Sequence, residues 1–258
     1  MPFDPAVAAG VMLRVRRDRG LVLPFPGAPS TLAEGAAAQV ALAGLVGASV
    51  PAGFKIGATG ARMQAYLGLS GPAAGFMEAG NVFRRSADLR FASFIKPGVE
   101  CEVAVRLSRD LPPGSYALED VADAVAEVIA GVEIVENRYD DLRTLGTPTL
   151  IADQVYHCAA VVGEQGGVDW RTLDLDALRG RISVDGVERD SGISSDLMGH
   201  PFACLAWLAG SEVAAAFGGL KAGQTVMLGS VTPPVWLDAP GEVVVAFDGL
   251  PSVRVGLR

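Results

Sequence analysis

The chain has 258 residues, half of them apolar, a formal net charge of −8 and an isoelectric point near 4.8. This length fits one large domain, or a core domain behind a helical N-terminal piece, and the apolar share can build a sizeable core. The acidic balance argues against a nucleic-acid binder, which needs a basic face for phosphates.

Residues 3–19 are predicted to form a helix whose polar face, or an intersubunit contact, takes up the run Arg14, Arg16, Arg17 and Arg19. Pro24, Pro26 and Pro29 break the chain; Thr31-Leu32-Ala33-Glu34 then has capping-box spacing and opens a second helix to about Gly44. The soft apolar run Ala36 to Val50 is interrupted by Gln39 and is too short to span a bilayer. The start Met1-Pro2-Phe3-Asp4 lacks a basic region followed by an apolar one, so no signal peptide is expected. Cys101, Cys158 and Cys204 are widely spaced in apolar contexts, without zinc-ligand spacing, as in a reducing compartment. A soluble, cytoplasmic protein without membrane or nucleic-acid partners is the expectation.

Gly53 to Gly57 is predicted as a short strand with Lys55 between apolar neighbours, Gly60 to Leu67 as a helix, and Gly68 to Asn81 as a flexible, Gly/Ala/Pro-rich cover. Phe91 to Leu107 gives strands around a Lys96-Pro97-Gly98 turn. Leu118 to Ala130 is predicted as an amphipathic helix with Val121, Ala124, Val125 and Ile129 on one face. Glu133 follows in a strand, and another strand begins near Tyr156. Asp185-Gly186 signals a hairpin, His200-Pro201 opens a long apolar helix to about Phe217, and Thr225 to Ser230 is a strand. A last hairpin pairs Gly241 to Phe247 with Ser252 to Leu257. This order fits an α+β architecture on a mostly antiparallel or mixed sheet. Neither a Gly-x-Gly-x-x-Gly motif nor a P-loop is present, which argues against nucleotide cofactors.

The most informative stretch is Val99-Glu100-Cys101-Glu102-Val103-Ala104-Val105. It alternates like a strand, so both carboxylates point to one face, where like charges repel. A solvated strand face would tolerate them. A divalent cation would also relieve them, because carboxylate oxygens suit Mg2+, Mn2+ and Ca2+. A third acid is then needed, and Glu133, flanked by apolar residues, is the best candidate; Glu136 beside it could equally mark an outward strand edge.

Several separated blocks resemble one family. They are Phe54-Lys55-Ile56-Gly57-Ala58-Thr59, Met63 to Gly68, Glu100-x-Glu102, Glu133-Ile134-Val135-Glu136-Asn137-Arg138, Ile151-Ala152-Asp153, Met198 to Ala209, Leu220 to Gly223 and Gly229-Ser230-Val231-Thr232-Pro233. From about residue 30 onward the chain is similar to the 2-oxopent-4-enoate hydratase and 4-oxalocrotonate decarboxylase group of the fumarylacetoacetate hydrolase superfamily. The resemblance implies a coiled mixed-sheet roll, with residues 1–50 as a helical N-terminal segment and 51–258 as a metal-binding catalytic domain. It implies Mg2+ or Mn2+ held by Glu100, Glu102 and Glu133, and a homo-oligomer. It also implies a small anionic 2-oxo or 2-hydroxy-dienoic acid as substrate, met in aromatic-compound breakdown.

Lys55 would then pair with the substrate carboxylate or donate a proton, although a lysine at a strand edge can instead snorkel to the surface. The chain departs from the family at Ala73 to Ala79, where an acid common in that turn falls on Ala79 with Glu78 one place off, so Glu78 is taken as the second catalytic candidate. It departs again at Ala152-Asp153-Gln154-Val155-Tyr156, in place of Ala-Asp-Asn-Ala-Ser. Asp153, Ser230 and Thr232 are expected against the substrate, with ordinary turn chemistry as the other reading of Ser230 and Thr232. His200 is expected to cap or anchor its helix, and His157 to be a partly buried strand residue.

Hydration of a 2-hydroxy-2,4-dienoate is the first expected reaction, and decarboxylation of a 2-oxo acid on the same scaffold the second. Acylpyruvate hydrolysis is disfavoured because no histidine precedes residue 157. A catalytically silent partner subunit is disfavoured by the intact acids and Lys55.

Overall fold

The structure, a computed structural model, describes residues 2–258. The chain opens with two helices, α1 (Pro5–Asp18) and α2 (Leu32–Leu45). The Asp4 carboxylate accepts the Ala6 N–H at 2.8 Å and caps α1, and Thr31 with Glu34 forms the capping box of α2. Then follow β1 (Gly53–Gly57), α3 (Ala61–Leu67), β2 (Ala73–Met77), β3 (Val82–Arg84), β4 (Ser86–Leu89) and the eleven-residue β5 (Pro97–Leu107). A short α4 (Leu118–Ala122) precedes the long β6 (Val125–Glu136), and α5 (Leu142–Leu145) with α6 (Thr147–Ala152) leads into β7 (His157–Val162). The rest is β8 (Arg179–Val184), β9 (Val187–Ile193), α7 (Pro201–Ala209), α8 (Glu212–Ala216), β10 (Thr225–Ser230), β11 (Val235–Trp236), β12 (Gly241–Phe247) and β13 (Val253–Leu257).

Two mixed sheets result. The larger runs β2-β1-β10-β5-β6-β7-β3, with β11 added beside β5; the smaller runs β4-β13-β12-β8-β9. The larger sheet curls until β2 meets β7. This is an α+β fold of curled mixed sheets. Residues two apart on a strand, and residues directly opposite across a ladder, share a face. The registers Lys55↔Met227, Met227↔Ala104, Glu102↔Gly131 and Glu100↔Glu133 therefore put Lys55 and the three glutamates on one face. That face also holds a small apolar cluster of Met77, Ala104, Ile129, Ala160, Val162 and Met227. The opposite face carries Phe54, Ile56, Phe76, Val103 and Ile134 into the main core. Gln39 ties α2 to the edge of this sheet: its amide donates to the Ala74 and Ile151 carbonyls (3.1 and 2.7 Å) and accepts the Phe76 N–H (3.1 Å). Among the described residues no helix is long and apolar enough to cross a membrane.

Four expectations are corrected. The helix predicted over 118–130 stops at Ala122, and Val125 to Glu136 is one strand. Its β-branched residues are buried on both faces, with β12 and β13 of the smaller sheet packed against it and β5 and β7 paired at its sides, which erases the alternation that would have marked it. The predicted cover at 68–81 contains β2, fully buried and paired with β1 over all five residues. The predicted helix 200–217 breaks at Gly210, where Ser211 caps a separate α8. Phe91 to Ser93 is a helical turn, not a strand.

Candidate metal centre and active site

Glu100 and Glu102 project from β5, and Glu133 from β6 directly opposite Glu100. One oxygen from each of the three carboxyls lies within 4.8 Å of the others. Glu102 and Glu133 are buried and Glu100 half-buried. From β1, Lys55 comes in at 3% exposure and places Nζ 3.2 Å from Glu133 Oε1. Glu102 Oε2 accepts the Gly229 N–H at 3.0 Å. The snorkelling reading of Lys55 therefore fails, as does that of a solvated strand face for the acids.

A fifth group was not anticipated. His157 is buried, and its Nδ1 sits 2.9 Å from Glu133 Oε1. The reason is a β-bulge. Ile134 pairs with Ala159 but Val135 pairs with His157, so Cys158 is an extra residue on β7. A bulge re-aims the following side chain, and this one turns His157 onto the face of Glu133. Plain alternation along β7 would have put it on the other side, which is why the residue could not be placed from its sequence.

The charges interact strongly. Burial alone would raise the Glu133 carboxyl, but Lys55 and then His157 outweigh it and hold Glu133 at about 2. Burial, then the negative charge of Glu133, pushes Glu100 up to about 8, and Glu102 is raised well above the carboxylate range by burial, Glu133 and Glu100. Burial lowers His157, so it stands beside ionised Glu133 as a neutral imidazole donating from Nδ1. Lys55 is raised, because the three acids together outweigh the burial that would lower it.

The residues fit a divalent cation. Ionised together, the three carboxyls would outnumber the one ammonium, and without a cation Glu100 and Glu102 relieve the crowding by holding their protons; Glu133 Oε2 is buried without a hydrogen-bond partner. An all-oxygen anionic donor set suits hard dications.

The remaining candidates divide. Thr232 is buried with Oγ1 unpartnered. Ser230 is turned into its own loop, against the Thr232 carbonyl at 2.7 Å and the Thr232 N–H at 3.3 Å. Asp153 departs from expectation: its Oδ1 accepts from Arg16 and its Oδ2 from Arg138 and Tyr139, so both oxygens are spent on the protein and not on a substrate. Glu78 bonds Asn81 on the turn after β2, and none of its hydrogen bonds reaches the acid trio. His200 caps α7, accepting the Phe202 N–H at Nδ1.

Residues 59–258 match the fumarylacetoacetate (FAA) hydrolase C-terminal family. The chain belongs to this family. It is 33% identical over 204 residues to a 2-keto-4-pentenoate hydratase of Burkholderia vietnamiensis, covering 78% of this chain and 76% of that protein. It is 33% identical over 206 residues to a 2-hydroxyhexa-2,4-dienoate hydratase of Comamonas testosteroni, covering 79% and 76%. In fold it is similar to the 4-oxalocrotonate decarboxylase of Pseudomonas putida G7, solved with magnesium and adipate: TM-score 0.88, 23% identity, 98% of this chain and 97% of that one. Lys55 and Arg16 both lie N-terminal to the matched residues of this FAA hydrolase family member.

Proposed function

We propose that this FAA hydrolase family member is a divalent-metal-dependent hydratase of aromatic-compound breakdown. It would add water to a short 2-hydroxy-2,4-dienoate and release a 4-hydroxy-2-oxo acid, working as a homo-oligomer with Mg2+ or Mn2+ on Glu100, Glu102 and Glu133. The observation that carries this reading is the convergence of three carboxyls and Lys55 on one interior face, with Glu133 Oε2 unpartnered. The names of its one-third-identical relatives supply the substrate class.

When bound, the dication supplies Lewis-acid stabilisation of the enolate-like charge that develops on the substrate. The chain's own groups do the rest. Lys55 and His157 both hold Glu133 Oε1, which leaves Oε2 for the cation. The Gly229 N–H fixes Glu102. To become an unsaturated 2-oxo acid, the dienol must lose its hydroxyl proton and gain one on carbon. Lys55, kept charged by the surrounding acids, is the proton-bearing group at the site and the cation that an anionic substrate needs. Thr232 Oγ1 is available to a substrate oxygen.

The test offers the protein 2-hydroxypenta-2,4-dienoate and 4-oxalocrotonate with Mg2+ or Mn2+, following ultraviolet loss and CO2. Hydration without CO2 is expected. CO2 release alone would assign decarboxylation, which can use the same electron sink. Glu102→Gln should abolish metal-dependent turnover in a folded protein; retained activity would sink the proposed coordination.

A further inference from the structure

Three of the four residues between α6 and β7 have backbones that side chains normally avoid. Gln154, Val155 and Tyr156 all have positive φ, at 57°, 53° and 66°. One such residue is uncommon, and a β-branched one is an outlier; strain of this kind persists only where the surroundings over-determine it. Here two arginines grip both ends of the turn. Before it, Arg16 donates Nε to Asp153 Oδ1 at 2.9 Å and Nη2 to the Asp153 carbonyl at 3.0 Å. Arg138 donates Nε to Asp153 Oδ2 at 2.9 Å. After it, the His157 carbonyl accepts from Nη2 of Arg138 at 3.1 Å and of Arg16 at 3.4 Å.

What the turn carries is the site. The Val155 side chain lies against Gly57: a methyl group there would stand 3.2 Å from Val155 Cγ1 and 3.3 Å from Lys55 Nζ. The Gln154 carbonyl lies so close over Gly75, the partner of Lys55 on β2, that a Cβ there would be 2.6 Å from it. The next residue is His157, which holds Glu133. We propose that Arg16, on the N-terminal helix, is a positioning residue of the active site: with Arg138 it clamps the left-handed turn 154–156, and the clamped turn sets His157 on Glu133 and closes over Lys55. The reaction affected rests on the function proposed above; the clamp itself does not.

The test uses the full chain with Arg16→Ala, Arg16→Lys and the double variant Arg16→Ala/Tyr156→Gly. Three readouts are followed: Mn2+ affinity, the imidazole nitrogen signals of the metal-free protein, and kcat and KM. The chain has two histidines, which keeps the signals assignable. Arg16→Ala should stay folded, because Arg138 and Tyr139 still hold Asp153. Its Mn2+ affinity should fall about tenfold or more, the range for residues that orient ligands. The His157 Nδ1 signal should move, and the fall in turnover should appear in kcat more than in KM. Arg16→Lys should recover little, since one ammonium cannot bridge Asp153 and the His157 carbonyl as the planar fork does. The double variant should regain most of the affinity, because glycine takes a positive φ without strain.

A folded Arg16→Ala with Mn2+ affinity and His157 signal within twofold of the unaltered protein would overturn the proposal. So would a double variant no better than the single one. Should Arg16→Ala fail to fold, Arg16→Lys, which keeps the charge, decides by the same measurements. Unaltered protein that binds Mn2+ but turns over no dienoate would sink the hydratase reading and leave the clamp standing. Unaltered protein that binds no Mn2+ would sink the metal reading, and the His157 signal alone would then judge the clamp.

Discussion

Two groups of buried charges flank His157, and they are built on opposite rules. On one side Arg138, 1% exposed, reaches Glu136 at 2.7 Å and Asp153 at 2.9 Å, and Arg16 adds a second cation to Asp153. Cations and carboxylates there are equal in number. Burial would raise Asp153, but Arg138 and Arg16 hold it below its usual range. On the other side three glutamates share one lysine, and Glu133 Oε2 and His157 Nε2 are left unpartnered. A buried polar atom without a partner is costly. The balanced group is complete and locks the backbone; the unbalanced group is complete only with a ligand. Breaking the first at its buried centre should cost stability as well as the geometry it imposes on His157, and altering the second should cost function with the fold intact.

The largest effect is expected from Arg138→Met. It leaves Glu136 and Asp153 without their shared cation in the interior, and removing one partner of a buried pair costs about 3–5 kcal/mol. Denaturant unfolding should show that loss, and the fraction that stays folded should also lose Mn2+ affinity as Arg16→Ala does, because Arg138 holds both ends of the same turn. A midpoint shift worth less than about 1 kcal/mol would mean that the network is no more than a surface ion pair in its energetics.

Lys55→Met should show the converse. The side chain is as buried as Arg138, yet its removal takes a repelling cation away from a cation site. Mn2+ affinity should hold or tighten, the KM for an anionic substrate should rise, and kcat/KM should fall about 100-fold, the low end for loss of a positioned proton carrier. Loss of Mn2+ and substrate affinity together, or turnover within threefold of the unaltered protein, would remove Lys55 from the role given to it.

The contrast also explains what could be read from the residues alone. Glu100 and Glu102 were legible because two acids two apart in a β-branched run must share a face, and that run is indeed β5. Lys55 was legible as an oddity among apolar neighbours. His157 was not, because one extra residue at Cys158 decides its direction. Asp153 was assigned to a substrate for lack of any sign that Arg16, 137 residues earlier, would claim it. The helix wrongly drawn through 118–130 failed for a related reason: its pairing with β5 and β7 and its burial beneath β12 and β13 are set by distant segments, which local periodicity cannot see.

The gentlest test is a titration of stability without metal. Glu100 has a folded value of about 8 against an ordinary 4.5, and Glu102 is raised in the same direction. Between those pH values the folded chain holds protons that the unfolded chain has released. Stability from these groups is therefore fully present below about pH 4.5 and drains as pH climbs through about 8. Glu133, held at about 2, works the other way: its contribution is present above 4.5 and is lost as pH falls toward 2. Both histidines are lowered by burial and add stability as pH rises to about 6.5, so in chelator the decline of the denaturation midpoint should show between pH 6.5 and 8, at most about 1.4 kcal/mol per pH unit for each extra proton held. Most proteins are flat or improve over that interval. Saturating Mg2+ should flatten the decline, since the dication replaces those protons. Asp153 contributes nothing to this slope, because it is ionised in both states across the interval. A flat profile in chelator, or an equal slope with and without Mg2+, would mean that the acids are relieved by something other than a cation.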